Sequence, residues 1–260
     1  MRVPRLNKST CLIVSSILIG FVLGCTSRAP DERFLQKTYV SPSGITLFYR
    51  LFVPNMSDPD SHYPLVMFLH GGRGTGTDNV SHISRSNWSG SHVWIQLDSQ
   101  TKHNAFVVAP QLPGLNRWDY VTSDELSIYG ELAIELIEEL QNTYPIDRDR
   151  IYLAGQSLGS WGVWDLIAKR PDLFAAAIPV CGGGNPRAVS SMRDVSIWVF
   201  HGARDREVSV ERSREMVKAL RAVGSNVKYT EYRFSGHSIW DRAYFEDGLI
   251  DWLFAQRKQR

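Results

Sequence analysis

The most informative short motif is Gly-Gln-Ser-Leu-Gly at residues 155–159, with a serine at its centre. A strand-like segment, Ile151–Ala154, precedes the motif, and a helix-like segment follows it. A strand that turns into a helix within so few residues crowds its own side chains, and glycines two positions from the serine relieve that crowding. The turn exposes the serine hydroxyl, and the helix start favours negative charge beside it. Ser157 is therefore predicted to be a nucleophile; the alternative is a glycine-rich turn without chemistry.

A serine nucleophile needs a base and an acid that orients the base. In a parallel sheet with this motif, the acid follows a late strand and the histidine follows the last strand. Asp205 comes after the late strand Ile197–Phe200, and His237 comes after the last strand, Val227–Tyr232. We therefore predict that His237 is the base and that Asp205 holds its tautomer.

Other acids and histidines fit these roles less well. Asp194 precedes the late strand, and Asp241 follows His237 too closely. His70 and His201 each end a predicted strand just before a glycine, where a structural, hydrogen-bonded histidine is expected. The remaining histidines lie in early loops or helices: His62, His82, His92 and His103.

Backbone N–H groups near Ser157 are predicted to form an oxyanion hole, which stabilises the negative oxygen of the intermediate. The first donor is the N–H of Leu158, directly after the serine. The segment His-Gly-Gly at 70–72 ends an earlier buried strand, and the second donor is expected from Gly72 or Arg73. The alternative is an ordinary glycine turn at the strand end.

A substrate pocket is predicted beside the nucleophile, lined by Gln156, Trp161 and Trp240. The sequence contains eight tryptophans. Aromatic walls suit sugar or phenolic ligands, although tryptophans are more often packed in a core or at its rim.

These residues need a frame, and the pattern of the chain from Tyr39 onward indicates one. Strand-like and helix-like stretches alternate, which is typical of an α/β fold with a mostly parallel central sheet and helices on both faces. The remaining predicted strands are Ile45–Val53 (antiparallel), Leu65–Leu69, Phe106–Ala109 and Ala176–Val180. The predicted helices span 124–142, 158–170, 210–223 and 244–254.

Length and composition suit one globular domain. The chain has 260 residues, of which 43% are hydrophobic and 22% charged. When the three basic residues of the predicted signal peptide are left out, the chain has 26 basic and 27 acidic side chains. This balance gives no reason to expect a nucleic-acid partner. Cys11, Cys25 and Cys181 have no spacing suited to a zinc site or a disulfide framework, and no metal or organic cofactor is predicted.

The N-terminal segment has the features of an export signal. Arg2, Arg5 and Lys8 precede an apolar stretch from Cys11 to Leu23. This stretch is shorter than the roughly 20 apolar residues that a membrane-spanning helix needs.

The end of this segment, Val-Leu-Gly-Cys at 22–25, resembles the lipobox of bacterial lipoproteins, where the cysteine carries the lipid. The resemblance implies a signal peptide at 1–24, a lipidated Cys25, a tether at 25–38 and a domain at 39–260. It also implies an exported protein anchored in a membrane of the bacterial cell envelope. An uncleaved anchor and a plain secretory signal remain alternatives.

Several segments together resemble the α/β-hydrolase superfamily: HGG at 70–72, GQSLG at 155–159, GARD at 202–205 and GH at 236–237. Three further segments are similar to its secreted esterase branch: WDL at 164–166, PDLFAA at 171–176 and CGGG at 181–184. That branch includes polyhydroxybutyrate-depolymerase-like and feruloyl-esterase-like proteins, and predicted peptidases related to prolyl oligopeptidase. The likeness covers residue 39 to the C-terminus.

The resemblance implies a serine hydrolase that cleaves a small-molecule or oligosaccharide ester through an acyl-enzyme. The alternative within the branch is a peptidase or amidase, but prolyl oligopeptidases carry a propeller domain for which this chain has no segment. Dienelactone hydrolases use cysteine where this chain has Ser157. A non-catalytic binding protein on the same fold is a further alternative, against which the complete set of Ser, His and Asp argues.

Overall fold

The computed structural model describes residues 31–258, so the predicted signal peptide at 1–24 and Cys25 lie outside the described residues. Eight strands form one sheet. They are β1 (Leu35–Val40), β2 (Thr46–Phe52), β3 (Tyr63–Leu69), β4 (Phe106–Gln111), β5 (Ile146–Gln156), β6 (Ala176–Val180), β7 (Ser196–Gly202) and β8 (Lys228–Tyr232).

The strand order across the sheet is β1-β2-β4-β3-β5-β6-β7-β8. β2 runs antiparallel to both of its neighbours, and every other neighbouring pair is parallel. All residues of β3 and β4 are buried, as expected for central parallel strands that are covered on both faces. The predicted α/β class and the antiparallel second strand are confirmed.

Helices cover both faces of the sheet. The described helices are α1 (Trp88–His92), α2 (Leu97–Lys102), α3 (Ile128–Thr143), α4 (Leu158–Lys169), α5 (Glu211–Ala222), α6 (Trp240–Tyr244) and α7 (Leu249–Phe254). α3, α4 and α5 contribute to the hydrophobic core on one face. α6, α7 and apolar residues around α1 form the core on the other face. Within residues 31–258, no helix is both long and apolar enough to span a bilayer.

The domain begins earlier than predicted. β1 pairs with β2 along its whole length, from Leu35 opposite Leu51 to Val40 opposite Thr46. Just before it, Phe34 is 1% exposed. The tether predicted at 25–38 is therefore wrong from residue 35 onward. β1 is an edge strand with little burial, held mainly by main-chain hydrogen bonds, so it lacks an apolar pattern that a sequence would reveal.

Two helices also differ from their predicted bounds. The helix predicted at 124–142 begins at Ile128, because the Ser127 hydroxyl accepts a hydrogen bond from the N–H of Gly130 and caps it there. The closing helix predicted at 244–254 is shorter: α7 begins only at Leu249, after Gly248, which takes a left-handed conformation with φ of +76°. α6, at Trp240–Tyr244, precedes it and was not predicted. The helices predicted at 158–170 and 210–223 are confirmed to within one residue.

Substitution of Phe34 tests the early start of the domain. The Phe34 ring packs edge-on against Phe52 at 6.2 Å, and its carbonyl accepts from Arg50. We expect Phe34→Ala to lower the free energy of unfolding by about 3 kcal/mol, as for other buried phenylalanines. The neighbouring Leu35 is 45% exposed, so Leu35→Ala is the matched control, with a change within about 1 kcal/mol. Urea denaturation measures both; equal effects would contradict the assignment.

Candidate active site

Ser157 lies in the turn between β5 and α4, with φ of 51° and ψ of −117°. A non-glycine residue is rarely found in this region, so the turn is strained. The structure shows why glycine follows two residues later, since a Cβ at Gly159 would collide with the carbonyl oxygen of Leu69. The close approach of α4 to the end of β3 therefore positions the half-buried serine at the end of β5.

The structure brings Ser157, His237 and Asp205 together from three separate loops. His237 Nε2 lies 2.9 Å from Ser157 Oγ, and His237 Nδ1 lies 2.6 Å from Asp205 Oδ2. Asp205 follows β7 and His237 follows β8, and the two loops are joined by a hydrogen bond from the N–H of Arg204 to the carbonyl of Ser235. The contacts form the continuous hydrogen-bonded chain that a serine nucleophile needs.

The Asp205 carboxylate is enclosed, and its environment favours the ionised form. Burial alone would raise its pKa, but hydrogen bonds from His237 and from the backbone N–H groups of Val208 and Glu207 hold the pKa below its usual value. The two backbone groups donate to Oδ1 over 2.9 Å and 2.8 Å. An ionised Asp205 accepts from Nδ1, which leaves Nε2 of His237 unprotonated toward the serine.

Two buried side chains lie beneath the acid and the base. His201 Nε2 is 3.2 Å from Asp205 Oδ2. The Cys181 thiol donates to the carbonyl of His237 over 3.4 Å, and burial raises the pKa of Cys181, so the thiol stays protonated. Cys181, His201 and Asp205 place potential metal-binding atoms within 4.8 Å of one another, but Oδ2 of Asp205 is already bound by His237. The absence of a metal or organic cofactor stays a prediction.

The HGG segment directly follows β3 and leads into a 3-10 turn at Gly72–Gly74. The carbonyl of Gly71 accepts from the N–H of Gly74 over 2.9 Å and from His70 Nδ1 over 2.8 Å. The N–H of Leu112 donates to His70 Nε2, so Nδ1 carries the proton of this imidazole. Burial lowers the pKa of His70 to about 4, so the ring is neutral near pH 7. His70 therefore has the structural role that the sequence indicated.

The predicted oxyanion donors occupy the first positions of helical turns. Leu158 is the first residue of α4, and Gly72 and Arg73 open the 3-10 turn. N–H groups at these positions have no carbonyl partner within their own helix and remain available to an anion. Gly72 and Arg73 line the same cleft as Ser157.

This cleft has a volume of about 170 Å³. Its lining residues are Gly71, Gly72, Arg73, Ser86, Gln156, Ser157, Glu207, His237, Ser238 and Trp240. Gln156 is held by its Nε2, which donates to the carbonyl of Ser86 over 2.8 Å, and the Trp240 ring meets His237 edge-on at 5.0 Å. Two of the three predicted pocket residues, Gln156 and Trp240, therefore lie in the cleft.

Trp161 does not line the cleft. It faces the loop after β6, where its ring would lie 3.1 Å from a Cβ at Gly183. A larger cavity of about 370 Å³ lies farther along α4, beside Trp164 and Asp165, and is lined by none of Ser157, Asp205 and His237.

Sequence reasoning missed Glu207, Ser86 and Ser238 as lining residues. Glu207 is the informative case, because its carboxylate lies 3.8 Å from His237 Nε2 and only two positions after Asp205. Proximity to the predicted acid could have indicated it. Ser86 belongs to the segment before α1, for which the sequence predicted no element, so no signal pointed to it.

Comparison with known proteins shows that the chain is similar to esterases. A solved structure of a thermostable esterase is 40% identical, with a TM-score of 0.82 over 87% of this chain and 64% of that one. A poly(3-hydroxyalkanoate) depolymerase C of Paucimonas lemoignei is 30% identical over 70% of this chain and 42% of its own length. A probable feruloyl esterase C of Aspergillus niger is 25% identical over 76% of this chain and 69% of its own length.

These matches cover only part of most relatives, which limits the properties that can be inferred for this chain. No family model matches the chain. The chain spans only 23% and 34% of two further curated relatives that it matches. The comparisons therefore identify the fold and the kind of protein, whereas substrate and partners need arguments from the site itself.

Proposed function

We propose that this chain, which belongs to the esterase branch of the α/β-hydrolase superfamily, hydrolyses carboxylic esters with Ser157 as the nucleophile. The observation that carries the proposal is the chain of contacts from Asp205 through His237 to Ser157, at 2.6 Å and 2.9 Å. These distances lie within hydrogen-bond reach, as proton transfer between nucleophile and base requires.

The reaction proceeds in two halves. His237 Nε2 takes the hydroxyl proton as Ser157 Oγ attacks the carbonyl carbon of the ester, and the carbonyl oxygen becomes an oxyanion. When the tetrahedral intermediate collapses, His237 gives its proton to the departing alcohol oxygen and the acyl group remains on Oγ. Water then attacks the acyl-enzyme with His237 again as base, and the acid product leaves. Asp205 stabilises the imidazolium in both halves without taking the proton.

Two backbone N–H groups are proposed to bind the oxyanion, from Leu158 and Gly72. Hydrogen bonds from His70 and Gly74 direct the Gly71 carbonyl into the protein. A trans peptide is planar, so the N–H of Gly72 points in the opposite direction from that carbonyl. This geometry favours Gly72 over Arg73 as the second donor.

The substrate is proposed to be a small-molecule or oligosaccharide ester with a short acyl group. The cleft of about 170 Å³ is smaller than the roughly 300–1,000 Å³ of typical ligand sites, so it favours a short acyl chain. Trp240 provides an aromatic wall, and Gln156, Ser86 and Glu207 provide polar groups for an alcohol moiety. These features favour an ester over a long peptide, which would need an extended binding groove.

Labelling with a fluorophosphonate tests the nucleophile. The wild-type protein should be labelled to one equivalent and should hydrolyse p-nitrophenyl acetate. Ser157→Ala should lose labelling and at least about 10³-fold in kcat, since the attacking atom is missing. Ser160→Ala, three residues later and inside α4, is the matched control and should be labelled normally. Folded protein that takes no label would contradict the proposal.

Faster cleavage of aminoacyl-nitroanilides than of acetyl, butyryl or feruloyl esters would indicate a peptidase instead.

The oxyanion assignment can be tested by removing one backbone donor. Proline at position 72 deletes the N–H, and the first position of a helical turn accepts proline. Gly71, at φ −75° and ψ 172°, already has the conformation that a residue before proline requires. Gly72→Pro should lower kcat by about 10²–10³-fold with little change in KM. Gly72→Ala is the control, because a Cβ at this position meets no atom within 4 Å. Equal activity of both variants would exclude Gly72 as a donor.

We further propose that the protein is exported and held at the bacterial cell envelope, on its periplasmic or outer surface, through lipidated Cys25. The lipobox-like residues 22–25 support this location. Intact-mass analysis of detergent-extracted protein should find a mature chain that begins at a diacylglyceryl Cys25. Cys25→Ser should move the protein to the soluble fraction, whereas Cys11→Ser, within the signal, should not. An unmodified Cys25 in membrane-extracted protein would contradict the lipid anchor.

A further inference from the structure

His201 lies at the buried side of the acid, on the penultimate residue of β7. Its side chain has no solvent exposure, and neither has the Asp205 carboxylate that it faces. Nε2 lies 3.0 Å from the carbonyl of Val208 and 3.2 Å from Asp205 Oδ2, the same oxygen that binds His237. Asp205 is thus contacted by imidazoles on two sides.

The contacts define the protonation of this second imidazole. Both neighbours of Nε2, the carbonyl of Val208 and the carboxylate of Asp205, are acceptors, so Nε2 must carry a proton. Nδ1 lies 2.7 Å from the hydroxyl of Ser213, on α5. Burial lowers the pKa of His201, so the ring is neutral and Nδ1 accepts the Ser213 proton. The Ser213 hydroxyl is also within donating distance, 3.1 Å, of the carbonyl of Gly182, which competes with Nδ1 for its single proton over the longer distance.

On these contacts we propose that His201 is a positioning residue of the triad, which shares its Nε2–H between the Val208 carbonyl and the Asp205 carboxylate. The inference rests on the proposed function. The Val208 N–H donates to Asp205 Oδ1, so His201 fixes the carboxylate directly and also through the loop that binds its other oxygen. Held from both sides, Asp205 keeps its plane aligned with His237 Nδ1.

His201 should also tune the base. Each hydrogen bond donated to Asp205 Oδ2 stabilises the carboxylate. The carboxylate then stabilises the imidazolium form of His237 less strongly. Loss of the His201 contact therefore strengthens the pairing of Asp205 with the imidazolium, and the acidic limb of the kcat/KM profile is expected to move to higher pH. The other titratable groups around these residues are Cys181 after β6, Glu207 after β7 and Glu231 on β8. All three remain in the variants described below.

Substitution of His201 by two different amides distinguishes the contribution of Nε2 from that of Nδ1. The Gln amide nitrogen can occupy the position of Nε2, so His201→Gln keeps a donor toward Asp205. The Asn amide nitrogen reaches only the position of Nδ1, so His201→Asn keeps a polar contact with Ser213 and loses the one with Asp205. His103→Asn is the matched control, because His103 pairs with Asp251 on the surface and lines no part of the cleft.

The measurements are kcat, KM and the pH profile with p-nitrophenyl acetate. His201→Asn should lower kcat by about 10-fold or more, yet by less than the roughly 10⁴-fold cost of a disrupted triad acid. KM should stay within about 3-fold, and the acidic limb should move up by about half a pH unit. His201→Gln should recover most of kcat and the wild-type limb, and His103→Asn should match the wild type throughout. Equal losses in His201→Asn and His201→Gln, or a fall in kcat without movement of the limb, would overturn the proposal.

A measurement on the wild-type protein keeps the proposal testable if His201→Asn does not fold. Nitrogen-15 NMR of labelled histidines should find His201 neutral, with its proton on Nε2, between about pH 5 and 8. Its signals should shift when a fluorophosphonate occupies Ser157, because the phosphonyl group then lies beside His237, which shares Asp205 Oδ2 with His201. A proton on Nδ1 of His201 would overturn the inference while leaving Ser157 labelling intact. Failure of the proposed function would appear instead as loss of that labelling.

Discussion

The close approach of α4 to the end of β3 is the constraint on which the site depends. A side chain at Gly159 would collide with the Leu69 carbonyl, so the helix can start where it does only with glycine there. The turn that results forces Ser157 into a conformation that a non-glycine residue seldom adopts. The stability of the two-sided core offsets this strain. As a result, the Ser157 hydroxyl projects beyond the end of the sheet, next to the first N–H of α4.

The same packing determines how the other groups are supplied. Parallel strands end at one edge of a sheet, so the loops after β3, β5, β7 and β8 converge there although they are far apart in sequence. Each loop contributes one component: the turn in which the Gly71 carbonyl is hydrogen-bonded, and then the proposed nucleophile Ser157, acid Asp205 and base His237. The backbone hydrogen bond from Arg204 to Ser235 joins the acid and base loops. A displacement of the loop after β7 is therefore expected to displace the loop after β8 as well.

The sequence predicted the parts of this arrangement that have local signals. Apolar runs identified the central strands, and the glycines around Ser157 marked the turn, so the order of the acid and the histidine followed from the fold. β1 was missed because an edge strand with exposed side chains has no apolar pattern. The break at Gly248 and the cap at Ser127 shifted helix bounds through single residues whose effect depends on their surroundings. Trp161 was misplaced because the path of α4 relative to the cleft is a property of the assembled fold.

The polar edge strand affects how the domain would be presented at a surface. β1 lies at one margin of the sheet, whereas the acid and the base follow the two strands at the opposite margin. With neighbouring strands about 4.8 Å apart, seven spacings separate the margins by roughly 34 Å. Ten residues join Cys25 to Leu35, which is at most about 35 Å of fully extended chain. With the lipid anchor proposed at Cys25, the chain from the membrane would enter the domain at the margin opposite Asp205 and His237, so the active site could face away from the bilayer.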